Sequence, residues 1–204
     1  VLGDVPESEN AAREILRRGI RSFKIKIGRD FDLDLKRVVA IAALAKKCPL
    51  YLDANQGFTA VQTLKFLKAL AKLGINPVLV EQPVPKGDWD GLAKVTRESK
   101  ALVCADESVG SLADAKRLIR AKAAGAINIK FTKTGVLEAY EIARLAKRHG
   151  LKLMIGTMME TPLAVTAAAH FAAGLGGFDF VDLDAPFFMA EAVTRGNYVT
   201  RSGV

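Results

Sequence analysis

The sequence predicts an α/β fold in which βα units repeat around a parallel sheet, and three observations carry that expectation. Short β-branched or apolar runs alternate with amphipathic stretches of helical length, without a break. The runs are apolar almost throughout, as strands covered on both faces must be. Each run is also followed by an ionisable residue at a near-constant interval: Lys26, Asp53, Glu81, Asp106, Lys130, Glu160 and Asp182 fall 22 to 30 residues apart. One βα unit with short loops needs about that length, so the same structural place, the C-terminal end of the strand, carries a polar group in every unit. In a closed (β/α) barrel those ends converge on one mouth. An open doubly wound sheet gathers its ligands at one switch point and calls for no polar residue on every strand, so the barrel is the reading adopted.

Taken in order, strands are expected over residues 22–27, 50–53, 78–81, 102–105, 126–130, 152–155 and 178–182. In the helix between the second and third, Leu64, Leu67, Leu70 and Ala71 fall at helical spacing. Leu112, Ala115, Leu118 and Ile119 do the same in a later helix, with Ser111 and Asp114 at its N-cap and N3 positions. Thr161-Pro162 supplies a cap followed by proline at the first helical position of another.

With 204 residues, half of them apolar, the chain buries a substantial core, and a single domain over 1–204 is expected. No run of about 18 apolar residues occurs, and Val1-Leu2-Gly3-Asp4 offers neither a basic n-region nor an apolar h-region, so a soluble, cytoplasmic protein with no membrane contact is expected. Cys48 and Cys104 lie in apolar stretches without metal-ligand spacing, which argues against a disulfide framework or a zinc site. A net charge of +8 raises nucleic acid as a partner. The basic residues are instead scattered along helical patterns (Arg13, Arg17, Arg18; Lys116, Arg117, Arg120, Lys122) with little aromatic interleaving, the pattern of solvated helix faces. His149 and His170 fall near the ends of helical patterns and read as surface or helix-terminal residues.

Three acids end apolar runs: Asp53 in Leu-Asp-Ala-Asn, Glu81 in Val-Glu-Gln-Pro and Asp106 in Ala-Asp-Glu. Carboxylates at such places are costly unless paired or ligating a cation. Three that converge suit a hard divalent ion, and Mg²⁺ is favoured because oxygen is the only ligand type offered. Lys24 and Lys26, two apart on one strand, point to the same face, opposite Phe23, Ile25 and Ile27. Repulsion between them and partial desolvation would ease deprotonation of one, as a general base requires. Lys130 ends a strand three units further on. A single strand-end lysine reads as a snorkelling charge; three lysines with three carboxylates at equivalent places read as a site.

The ordered set Lys24-Ile25-Lys26, Asp53-Ala54-Asn55, Glu81-Gln82-Pro83, Asp106-Glu107 and Lys130 resembles the muconate-lactonising subgroup of the enolase superfamily over essentially the whole chain. The resemblance implies a (β/α)7β TIM-like barrel, with Asp53, Glu81 and Asp106 as Mg²⁺ ligands. It implies Lys26 and Lys130 as the acid/base pair, Lys24 as the neighbour that tunes Lys26, and Asn55 and Glu107 as supporting residues. Such a set suffices to abstract a proton α to a carboxylate. Val181-Asp182-Leu183-Asp184 before Ala185-Pro186 is similar to the pattern of dipeptide epimerases, in which two aspartates hold the substrate's α-ammonium; Asp184 equally suits a turn before Pro186. Glu160, in Gly-Thr-Met-Met-Glu-Thr-Pro, looks like the subgroup's strand-seven glutamate, which the resemblance implies as a substrate-binding residue with Asp182 and Asp184, and equally suits the acidic start of the next helix.

The activity this implies is Mg²⁺-dependent epimerisation of L,L-dipeptides to L,D-dipeptides, with a small-molecule dipeptide carboxylate as partner. The alternatives are N-acylamino-acid racemase, o-succinylbenzoate synthase and muconate cycloisomerase, which have no ammonium for Asp182 and Asp184 to bind, or an inactive barrel fragment. Members of the superfamily carry an N-terminal α+β capping domain. This chain starts at or just inside the first barrel strand near Val1-Leu2, so that cap is expected to be absent. A truncated first strand would leave a seam with an exposed edge prone to self-association, hence to homo-oligomers.

Overall fold

The computed structural model of the chain describes residue 1, residues 3–189 and residue 194. Leu2, in the expected first-strand remnant, and most of the last 15 residues of the expected 1–204 domain lie outside the described residues. The described residues divide into two compact units, one comprising Val1–Ser108 with Ala121–Ala124, the other Val109–Arg120 with residues 125–189.

In the first unit the order is α1 (Val5–Arg17), β1 (Phe23–Lys26), α2 (Phe31–Leu44), β2 (Leu50–Asp53), α3 (Ala60–Lys72), β3 (Leu79–Glu81), α4 (Trp89–Glu98) and β4 (Leu102–Ala105). Consecutive strands are parallel neighbours, which requires the intervening helix as a crossover. The register sets Lys26 opposite Asp53, Asp53 opposite Glu81, and Glu81 opposite Cys104. The polar strand ends therefore stand level, with Asp106 just past the end of β4.

Local chemistry starts each helix. Asp4 and Glu7 form a capping box on α1, Thr59 and Gln62 do so on α3, and the Asp30 and Asp88 side chains accept from the first-turn amides of α2 and α4. Phe23, Ile25, Leu52 and Val80 from the strands form one buried cluster with Val38, Ile41, Phe66 and Leu70 from the helices. Phe66 lies edge-on to Phe31 at 5.3 Å and tilted against Phe58 at 5.5 Å. The buried face of α3 is thus Thr63, Phe66 and Leu70, not the expected leucine stripe; Leu64 and Leu67 are half-buried and Ala71 is exposed. The phenyl ring carries more area than a leucine and turns the helix to bury itself.

The turns after β1 and β2 touch through backbone alone. Gly28 has φ +97°, and a Cβ on Gly57 would fall 2.2 Å from the Gly28 carbonyl oxygen, so both positions demand glycine. Val1 runs beside β1: its amino group donates to the Lys24 carbonyl at 2.6 Å, and its carbonyl accepts from the Lys26 amide at 3.1 Å.

The second unit contains α5 (Leu112–Ala121) except its last residue, β5 (Ala126–Ile129), α6 (Phe131–Arg148), β6 (Lys152–Gly156), α7 (Pro162–Leu175), β7 (Phe180–Asp182) and a 3₁₀ turn over Ala185–Phe188. β5 pairs with β6 and β6 with β7, all parallel, with Ile129 opposite Ile155 and Gly156 opposite Asp182. Ile127, Ile129, Leu153 and Ile155 are buried, and Phe171 meets Phe131 at 5.1 Å and Phe178 at 6.0 Å. The expected caps form: the Asp114 amide donates to Ser111 Oγ at 3.1 Å, and the Ala164 amide donates to Thr161 Oγ1. Two expectations shift. β5 stops at Ile129, leaving Lys130 extended at the start of α6, whose first turn is separated from the rest by Gly135 at φ 67°. β6 stops at Gly156, so Glu160 lies four residues beyond a strand end rather than on it.

Among the described residues no helix is long and apolar enough to cross a membrane. The basic residues Arg13, Arg17, Arg18, Lys116, Arg117, Arg120 and Lys122 are all exposed, as are His149 at the end of α6 and His170 on α7. Cys48 and Cys104 are free thiols.

Candidate active site

β1 alternates as its sequence requires: Phe23 and Ile25 are buried against the helices, and Lys24 and Lys26 project from the opposite face. The Lys24 ammonium bridges Asp53 Oδ2 at 3.0 Å and Glu81 Oε2 at 2.8 Å. The Lys26 ammonium donates to the same Asp53 Oδ2 at 2.6 Å and to Asn55 Oδ1 at 2.7 Å. Asp53 therefore stands between the two lysines and offsets the repulsion expected from their spacing. Asn55, in a left-handed turn at φ 41°, passes the chain of contacts on, its Nδ2 donating to Glu107 Oε1 at 3.3 Å. One connected polar network of this unit thus joins Lys24, Lys26, Asp53, Glu81, Asn55 and Glu107.

Asp53, Glu81 and Asp106 are each at most 2% exposed. Burial pushes the Glu81 carboxyl up, Lys24 pulls it down, and the neighbouring Asp53 and Asp106 push it further up, to about 7. Asp53 is raised by burial, but Lys24 and Lys26 outweigh that and hold it below the usual carboxylate range. The donor set suits a hard divalent cation: all oxygen, buried, and burdened with mutual repulsion that a cation would relieve. Glu107 Oε2, buried and without a hydrogen-bond partner, adds an acceptor next in sequence to Asp106. Among the described residues no three ligating side chains are gathered into a metal-holding group as they stand, and between Asp53 and Glu81 the positive charge is the Lys24 ammonium.

The raised Glu81 carboxyl has a consequence for stability. Between its ordinary value of 4.5 and about 7, folded protein holds a proton that unfolded chain has released, so this group's contribution to stability falls as pH rises through that window. In chelator, wild-type protein is expected to lose more stability between pH 5 and pH 8 than Glu81→Gln. Parallel urea melts at the two pH values measure the difference; identical pH slopes would contradict the assignment.

In the second unit Lys130 is 5% exposed, with its ammonium 3.8 Å from Met158 Sδ. Glu160 is buried and its Oε1 accepts from the Met158 amide at 2.8 Å, while Thr161 caps α7; the acid shapes the loop after β6 instead of capping the helix. Asn128, buried two residues before Lys130, occupies the space a Cβ on Gly156 would need, with its Oδ1 2.6 Å from that position. Asp182 ends β7 half-buried. Asp184 is exposed with helical backbone at the N-cap of the 3₁₀ turn, so strand alternation does not align the two aspartates.

Three buried groups near these residues escaped sequence reasoning. Asn128 hides inside an apolar strand run, and Gln82 sits in the motif already singled out. Asp34 and Arg37, at i and i+3 on α2, look like an ordinary surface pair but are 1% and 4% exposed. The hint in the sequence is their spacing: with Val38 and Ile41 they fall at i, i+3, i+4 and i+7, which puts the pair on the helix face that is buried.

The family described as enolase C-terminal domain-like matches residues 7–204. A hydrophobic dipeptide epimerase from Citrifermentans bemidjiense is 54% identical over 206 residues, covering 100% of this chain and 56% of the relative. A mandelate racemase/muconate lactonizing protein from Herpetosiphon aurantiacus superposes with a TM-score of 0.96 at 43% identity, over 100% of this chain and 58% of that one. A dipeptide epimerase from Enterococcus faecalis V583, solved with Mg and L-Leu-L-Tyr, superposes with a TM-score of 0.91 at 36% identity, over 96% of this chain and 55% of that one. The chain thus spans about half the length of these relatives, and its run of parallel βα units is the α/β fold of their barrel domains. With its lysines and carboxylates at the strand ends, the chain belongs to the enolase C-terminal domain-like family.

Proposed function

We propose that the protein inverts the α-carbon of the C-terminal residue of L,L-dipeptides, giving L,D-dipeptides, with Lys26 and Lys130 as the acid/base pair. The observation that carries this reading is the Lys26 ammonium, held by Asp53 and Asn55 at the end of β1, in a chain 54% identical to a hydrophobic dipeptide epimerase.

Asp53, Glu81 and Asp106 would hold Mg²⁺, which when bound neutralises the substrate carboxylate and the charge that grows on it as the α-proton leaves. The lysines do the proton transfers. One, as the neutral amine, takes the α-proton and becomes an ammonium; the other, as the ammonium, delivers a proton to the opposite face and becomes neutral. The C–H bond broken on one face is replaced by one on the other, and exchange with solvent resets both amines. Lys130 is buried, at 5% exposure, whereas Lys26 is oriented by two acceptors. The Lys24 ammonium, set between Asp53 and Glu81, adds to the positive potential at the strand ends. Asp182 and Asp184 would accept from the substrate's α-ammonium, the exposed Asp184 by side-chain rotation, and Glu160 would fix the loop that borders Lys130.

The test is α-proton exchange by ¹H NMR, with a library of L,L-dipeptides and N-acylated amino acids in D₂O and Mg²⁺ and the full-length protein. Loss of the C-terminal residue's α-proton signal with growth of the L,D product is expected, fastest for apolar dipeptides. Exchange confined to N-acylated amino acids, or to none of the substrates, would replace this reading with that of a racemase or cycloisomerase, or of an inactive barrel.

A further inference from the structure

We infer that Gln82 is a positioning residue that sets the spacing of the three carboxylates proposed to hold Mg²⁺; the inference rests on that metal reading and adds a residue to it. Gln82 follows Glu81 directly, is wholly buried, and adopts φ 33°, a conformation that residues other than glycine seldom take. Backbone strain of this sort persists only where the surroundings impose it.

All four hydrogen-bonding positions of the side-chain amide are used. Nε2 donates to the Val84 carbonyl at 2.9 Å and to Ser108 Oγ at 2.8 Å, and Oε1 accepts from the amides of Asp106 at 3.0 Å and Ser108 at 3.1 Å. Ser108 Oγ in turn donates to the Lys86 carbonyl at 3.1 Å. No other side chain could do this from the same place: a carboxylate lacks the donors, an ammonium lacks the acceptors, and an apolar group strands two buried amides.

The backbone of Gln82 completes the clamp. Its amide donates to the Cys104 carbonyl of β4 at 2.9 Å, and its carbonyl accepts from the Gln56 amide, three residues past Asp53, at 2.8 Å. The Glu81 carbonyl accepts from the Ala54 amide at 3.1 Å. One residue therefore ties the end of β2 carrying Asp53, the end of β3 carrying Glu81, and the turn after β4 that begins with Asp106. Three buried carboxylates repel one another and would relax apart unless their backbones were fixed; Gln82 supplies that fixation from outside the ligand set.

The experiment is Mg²⁺ binding by isothermal titration calorimetry, without substrate, on the full-length protein, Gln82→Met, and Phe66→Leu as a core control matched for loss of melting temperature. Gln82→Met is expected to bind Mg²⁺ at least tenfold more weakly while Phe66→Leu stays within twofold of wild type. Equal affinity of Gln82→Met and wild type, or equal loss in Phe66→Leu, overturns the positioning role and leaves the metal reading standing. Failure of the wild type to bind Mg²⁺ sinks both. Should Gln82→Met not fold, Ser108→Ala decides: a weakening of about threefold supports the clamp, and unchanged affinity refutes it.

Discussion

Lys26→Ala and Lys130→Ala are each expected to cut epimerisation by about 10²- to 10⁴-fold, the range that a positioned proton-transfer group supplies. They should not fail in the same way. With one lysine gone, the other still removes and returns a proton on its own face, so each variant should exchange the α-proton of one diastereomer for deuterium without converting it. The two variants should choose opposite diastereomers. ¹H NMR of separate L,L and L,D dipeptide solutions in D₂O reads this directly. A variant that exchanges both diastereomers, or two variants that retain the same one, would show that a single base serves both faces. Near-wild-type Mg²⁺ affinity is expected for Lys130→Ala. Lys26→Ala frees Asp53 Oδ2 of one ammonium, with Lys24 still 3.0 Å from it, and is expected to bind the cation no more weakly.

The contrast between these lysines and the groups that hold them shows what a sequence of this kind makes legible. Lys24, Lys26, Asp53, Glu81 and Lys130 stand out because parallel strands have apolar surroundings, so an ionisable residue at each strand end interrupts a pattern. Their level alignment follows from the parallel register, in which Lys26, Asp53 and Glu81 are consecutive partners. What surrounds them is set by tertiary packing and leaves no such trace. Gln82 in Glu-Gln-Pro could as well have been a solvated loop residue, and only the positions of Asp106, Ser108 and Val84 around it show an amide with every hydrogen bond filled. For Asp182 and Asp184 the spacing misleads in the opposite sense: i and i+2 share a face only inside a strand, and β7 ends at Asp182. Glu160 is the ionisable residue that follows the apolar run after Lys152, but hydrogen bonding in the sheet stops at Gly156, so the end of the run is not the end of the strand.

Breaking the buried pair of Asp34 and Arg37 should be the most destabilising change in the first unit. Arg37 Nη2 donates to Asp34 Oδ1 and to the Lys26 carbonyl at 2.6 Å, and Nη1 reaches the Gly3 carbonyl at 3.3 Å. Asp34 Oδ2 accepts from the amides of Gly28 at 2.7 Å and Arg29 at 3.1 Å. The pair therefore grips both sides of the turn that follows Lys26. Removing either partner leaves an uncompensated charge with almost no access to water, a loss of about 3–5 kcal/mol. Arg37→Met and Asp34→Leu are each expected to fall in that range by urea denaturation, with Asp34→Leu the worse because it also strands two amides. The double variant should cost clearly less than the two single changes together, a coupling of about 1–3 kcal/mol, because it removes both charges at once. Single losses below about 1 kcal/mol, or strict additivity, would mean that water or another group compensates the lone charge. If the coupling is found, the first βα turn is held by electrostatics independent of the carboxylates at the strand ends. The backbone of Lys26, whose carbonyl Arg37 holds, would then keep its place while the ammonium takes its direction from Asp53 and Asn55, so that the base meets its substrate in the same place at every turnover.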